Sequence, residues 1–256
     1  MITAMPRIAI AVHEFDSAVK VFRDEFGMPV TDFSDQTVST LGAHVAMCQP
    51  LGGSNIELMA PANPAKPLSQ ALQKFLNRRG DGIYAMMLEA ADPDAEAEVL
   101  LGRNLKVLPK MLGAGGRDIH PSSTHGVLIR VYPENSVSRP DDLVSASPNY
   151  SGINKVVIAT NDASVAANAY SVGLGLSADK PQLDAERGLS SVLVHPPEGG
   201  VIDLVSPVNL SRPIAQNVAN FLNTKGEGIY ALQLSAEGDV GEADRLVFGA
   251  RISISN

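Results

Sequence analysis

The chain is a duplication, and that constrains its fold more than any other feature. RIAIAV at 7–12 aligns with KVVIAT at 155–160, an offset of 148 (residue 7 onto residue 155). NIELMAP at 55–61 aligns with VIDLVSP at 201–207, and KFLNRRGDGIYA with NFLNTKGEGIYA, both at an offset of 146 (residue 55 onto residue 201). A steady offset marks two copies of one structural unit. The second copy loses two residues against the first, between Met28 and Ala43.

Within each copy the elements follow from periodicity. Residues 7–12 alternate, with Ile8, Ile10 and Val12 on one face of a strand. Asp16 is placed to cap a helix carrying Val19, Phe22 and Phe26, which Gly27 stops. Leu68, Leu72, Phe75 and Leu76 form an apolar helical stripe after Pro67, repeated as Ile214, Val218, Phe221 and Leu222 after Pro213. Further strands are expected at 43–49, 54–60, 82–89 and 126–132. A stretch rich in Ser, Pro and Asp, 138–152, reads as a linker between a first domain at 1–137 and a second at 153–256. By the 146 offset, the counterpart of Arg130 would be residue 276 of a 256-residue chain. The second domain is therefore expected to be incomplete at its C-terminal end. Its cleft would stand open unless a partner subunit in a homodimer completes it, and the first domain is expected to hold the site.

Charge and composition exclude several classes. Twenty basic against 28 acidic side chains give a net charge of −8, which argues against a nucleic-acid partner. The single cysteine, Cys48, allows no internal disulfide and suits a cytoplasmic protein. MITAMPRIAIAV carries no secretory signal pattern, and no run approaches the roughly 18 apolar residues of a membrane helix.

PRIAIAV, NIELMAP, KFLNRRGDGIYAMMLEA and IHPSSTHGVLIRV resemble the methylmalonyl-CoA epimerase branch of the vicinal oxygen chelate (glyoxalase) superfamily. The resemblance covers 5–133 closely and 153–250 more loosely. It implies an α+β fold of tandem βαβββ modules, whose curved mixed sheets form a cleft with helices on the convex face. It also implies that Arg7, Ala9, Asn55, Glu57, Met59, Ala85, Met87, Leu128 and Arg130 line that cleft. The family holds a divalent metal with one residue from each of four strands. The matching positions here are Arg7, Glu57, Ala85 and Arg130, and in the second copy Lys155, Asp203 and Ala231. Each copy thus offers one oxygen donor where a catalytic metal commonly needs about three protein ligands. No metal or other cofactor is expected, and neither is the family's metal-held enolate.

Two readings of Arg7, Glu57 and Arg130 follow from the resemblance. In one, the guanidinium groups grip a carboxylate, phosphate or developing enolate while Glu57 moves a proton. In the other, the three form a structural salt bridge in the space a metal would fill. One carboxylate between two guanidinium groups leaves a positive charge unpaired, which favours the first. His125 stands where the family has glycine, next to the last cleft strand, as an acid or base or as a solvated loop histidine. Met59 and Met87 are a ligand wall or core filler, and Leu128 is a substrate contact of the cleft. Lys155 and Asp203 are the second-copy equivalents of Arg7 and Glu57. His120 and the two equivalent tyrosines, Tyr84 and Tyr230, read as structural, and Cys48 as an inert buried thiol. The expected activity is a metal-independent isomerase, epimerase or lyase moving a proton next to a carbonyl. Its ligand would be a small acid or acyl thioester. The alternative is a non-catalytic small-molecule binding protein of the bleomycin-resistance type.

Overall fold

The computed structural model describes residues 1–50, 52–111, 113, 115–136, 150–236 and 243–255. The first domain runs β1 (Ile2–Ala11), α1 (Phe15–Lys20), β2 (Val30–Asp32), α2 (Ser34–Thr40), β3 (Ala43–Cys48) and β4 (Asn55–Pro61). It continues with α3 (Pro67–Arg79), β5 (Gly82–Ala90), α4 (Pro93–Gly102), β6 (Arg117–Ile119) and β7 (Leu128–Pro133). The second runs β8 (Tyr150–Ala159), α5 (Ala163–Asn168), β9 (Ser177–Ala178), β10 (Gln182–Asp184) and β11 (Leu189–His195). Then follow β12 (Val201–Pro207), α6 (Pro213–Lys225), β13 (Gly228–Ala236), β14 (Ala243–Val247) and β15 (Ala250–Ser255). Most of the expected linker, 138–149, lies outside the described residues, and β8 already begins at Tyr150.

Each domain is one mixed sheet. The orders are β2-β3-β4-β1-β5-β7-β6 and β10-β11-β12-β8-β13-β15-β14, the second with β9 beside β11. The register repeats residue by residue. Ala9 sits opposite Glu57 and Ala85 in the first sheet, and Val157 opposite Asp203 and Ala231 in the second. Met87 sits opposite Arg130, and Gln233 opposite Ser253.

That last pair corrects the expectation of a missing C-terminal part. The β14–β15 hairpin takes the place of β6–β7, so Ser253 is the counterpart of Arg130 and Asp244 of Asp118. Only six residues, 237–242, join β13 to β14, whereas 26 residues, 91–116, join β5 to β6 and include α4. The shortening falls in this connection, which shifts the offset and hides the repeat from a fixed-offset comparison. The chain supplies its own closing strands, and the reason for expecting a partner subunit falls away.

One face of each sheet enters a common core. Ile8, Ile10, Ile56 and Leu58 from the first sheet, and Val156, Ile158, Ile202 and Leu204 from the second, pack with Phe22, Phe26 and Tyr170 from the helical segments after α1 and α5. This is the burial that strand alternation encodes. Both helices run on into a π-helical turn, Val21–Glu25 and Ala169–Gly173. Asp16 is not the cap: it lies inside α1, whose N-cap Glu14 makes no side-chain bond. Asp162 does cap α5, accepting from the N–H groups of Ser164 and Val165.

The opposite, cleft face of each sheet is partly covered by its interior helix. α3 lays Leu68, Leu72 and Leu76 against Ala9, Met59, Ala85 and Met87, and α6 lays Ala215 and Val218 against Ala159 and Val205. Among the described residues no helix is long and apolar enough to cross a membrane.

Candidate functional site

The charged residues expected in the first cleft are all there and all buried, but they do not make an anion pocket. Arg7 donates from Nε to Glu57 at 2.8 Å and from Nη1 to Ser136 Oγ at 2.7 Å. Arg130 pairs with Asp118, donating from Nε at 2.5 Å and Nη2 at 2.6 Å. Tyr132 stands between them, its ring centroid 4.5 Å from the Arg7 guanidinium carbon and 5.9 Å from that of Arg130. Burial opposes the charge on both arginines. For Arg7, Glu57 and Tyr132 outweigh it, and for Arg130 the bonds it donates to Asp118 do, so both groups are held above the ordinary arginine value.

The unpaired positive charge anticipated between two arginines is therefore absent, because Asp118 neutralises it. Sequence reasoning missed Asp118, since it sits on a three-residue strand after the glycines of 113–116. Tyr132 carried a usable signal: Leu128, Arg130 and Tyr132 share one face of β7 by alternation.

The other residues singled out in the sequence have definite places in the structure. Met59 and Met87 are 3% and 2% exposed and belong to the core under α3. Leu128 does line a cavity, at the seam between the domains. His125 is not beside the arginine cluster. It occupies a left-handed turn (φ 51°) at that seam, with Nδ1 3.0 Å from Glu227 Oε2 of the second domain. Tyr84 packs edge-on against Phe75 of α3, and burial pushes its hydroxyl up to about 12, so it stays protonated near neutral pH. Burial likewise pushes the Cys48 thiol up, which keeps it inert.

The open cleft is in the second domain. A cavity of about 490 Å³ is lined by Lys155, Arg187, Tyr230, Asp244, Arg251 and Ser253, among others. A second cavity of about 420 Å³ adjoins it through Lys155 and Arg187 and reaches Asp203. Where the first cleft has long side chains locked in pairs, the second has Ser253 for Arg130 and Gln233 for Met87. Asp203 is fully buried, 2.5 Å from Ser191 Oγ and 3.4 Å from Arg187 Nη1. Arg187 also donates from Nε to Asp184 at 2.6 Å. Asp244 accepts from Arg251 at 3.0 Å and from Ser253 at 2.5 Å, the arrangement that stands in for Arg130–Asp118. Lys155 is half-buried, with no ion-pair partner among the described residues.

Neither cleft fits the divalent metal of the fold family. The four strand positions hold Arg7, Glu57, Ala85 and Arg130 in one sheet and Lys155, Asp203, Ala231 and Ser253 in the other. Guanidinium and ammonium groups offer no free lone pair and repel a cation, and alanine offers no donor.

Residues 7–120 match the Glyoxalase/Bleomycin resistance protein/Dioxygenase superfamily. No curated protein matches the chain in sequence. Among solved structures, a methylmalonyl-CoA epimerase from Streptomyces coelicolor, in complex with 2-nitronate-propionyl-CoA, is 26% identical. That alignment covers 55% of this chain and 100% of that one, at a TM-score of 0.45. A 4-hydroxymandelate synthase mutant from Streptomyces coelicolor is 14% identical over 93% of this chain and 72% of its own, at 0.66. A hypothetical protein from Staphylococcus aureus is 10% identical over 98% of both chains, at 0.63. These two long alignments extend one fold across both sheets. Residues 7–120 carry a domain of the glyoxalase/bleomycin resistance/dioxygenase superfamily, and the second sheet repeats its fold in tandem.

Proposed function

We propose that the protein works without a metal, in the cleft of its second domain, on a small organic acid or acyl thioester, and moves a proton next to the carbonyl. The observation that carries this reading is the cavity of about 490 Å³ bordered by Lys155, Arg187 and Arg251. Its counterpart in the first domain is occupied by mutually paired side chains. The Lys155 ammonium is free to meet an anion or a developing enolate oxygen. Asp203, through its bond to Arg187, orients that guanidinium toward the same space. Asp244 lines the cavity with its side chain 57% exposed, which makes it the carboxylate placed to accept a proton.

The test is exchange of the substrate α-proton with D2O, followed by NMR across branched acyl thioesters and carboxylic acids. Lys155→Met should weaken ligand binding by about 1.5–3 kcal/mol, the range of a charge-assisted hydrogen bond. Asp244→Asn should abolish exchange while binding persists. Tight binding with no exchange anywhere in the panel would leave a sequestration protein and refute the catalytic half of this proposal.

A further inference from the structure

The seam between the domains is built from equivalent residues. Arg79 donates to the Lys225 carbonyl at 3.1 Å, and Lys225 donates to the Arg79 carbonyl at 3.0 Å. Two cavities flank this contact, of about 300 and 430 Å³. Their aromatic walls correspond. Phe75 meets Tyr84 with centroids 5.2 Å apart at 79°, and Phe221 meets Tyr230 at 5.4 Å and 80°.

Their rims do not correspond. The smaller cavity is bordered by Lys74, Arg78, Arg79 and His120 and has no acidic residue in its lining. At the positions of Lys74 and Arg78 the other cavity has Asn220 and Thr224, and its lining includes Asp81. The fold therefore builds the same scaffold with neutral residues and does not need these charges. Cations in the last turn favour a helix end, yet α6 has Lys225 alone there where α3 has Arg78 and Arg79. Lys74 and Arg78 have no ion-pair partner among the described residues. Burial, and then the charge of Arg78, hold Arg79 below its ordinary value, so the cluster is under mutual repulsion. His120 accepts the Ser122 N–H at Nδ1, which leaves Nε2–H as a donor at the cavity wall.

We propose that this seam cavity is a second ligand site, for a small organic anion carrying a ring. Lys74 and Arg78 hold the anionic group, and Phe75, Tyr84 and Leu128 wall the ring. It lies on the first domain's side of the seam and does not depend on the assignment of the second-domain cleft. A ring-bearing anion about the size of phenyl phosphate suits a volume at the lower end for ligand pockets.

Calorimetric titration of phenyl phosphate into the full-length Lys155→Met protein, whose second-domain cleft is weakened, reads chiefly this site. One saturable site is expected, and the double variant K74N/R78T should weaken it at least tenfold. The Tm should hold, because the second domain already uses those residues. Inorganic phosphate and benzyl alcohol, each lacking one half of the probe, should each bind at least tenfold more weakly. No saturable binding, unchanged affinity in K74N/R78T, or inorganic phosphate binding as tightly as phenyl phosphate would each overturn the proposal.

Discussion

Asp118→Ala is expected to cost about 3–5 kcal/mol of folding stability, the penalty for stranding one member of a buried ion pair. Arg130 is 5% exposed and donates both of its short charge-assisted bonds to Asp118. Its remaining contacts, Tyr132 Oη at 3.5 Å and Met111 Sδ at 3.9 Å, cannot carry the charge. Removing both charges together, as D118A/R130M, should cost less than D118A alone, because no unpaired ion is then left buried. Urea denaturation of the single and double variants reads this directly. A loss below about 1 kcal/mol for Asp118→Ala would mean that solvent reaches Arg130, and that the first cleft is open after all.

Gly126→Ala should also be severe, at about 2–5 kcal/mol, and for an unrelated reason. Gly126 has φ +81°, and a Cβ there would lie 1.9 Å from the Glu227 carbonyl oxygen across the seam. Both the left-handed backbone and the contact oppose a side chain. Gly249, its counterpart, would place a Cβ 1.9 Å from the Asp81 carbonyl oxygen, so Gly249→Ala should behave alike. Thermal unfolding should show the drop for both. Gly80→Ala is the control: its φ is +72° but no atom lies within 4 Å of the added Cβ, so it should lose only the backbone part.

These two sites show where the sequence was legible and where it was not. The strands at 43–48, 55–61 and 82–90 and both interior helices follow from period and flanking residues, because each buries one face against a continuous core. The same periodicity placed Arg7 and Glu57 on one face, and the parallel register of β1 and β4 brings them together. The partner of Arg130 was hidden, because antiparallel pairing of a three-residue strand with β7 leaves no periodic trace. α4 was missed too, and with it the source of the length difference between the copies. Once α4 is counted, β14 and β15 fall into register and Ser253 replaces Arg130. That exchange of a long charged side chain for a small one explains why the second cleft is open. The contact that His125 makes was hidden for a related reason. Its turn is set by contact with Glu227 of the other domain, which no local pattern encodes.

The second cleft is open to ligand, and the centre of the first is closed by its own ion pairs. Crystals soaked in 4-bromobenzoate test it, since the bromine's anomalous signal fixes where the acid sits. A peak is expected in the second-domain cavity, with the carboxylate against Lys155 or Arg187, and none between Arg7 and Arg130. A peak between Arg7 and Arg130, with the Arg130–Asp118 pair broken and the second cleft empty, would contradict it.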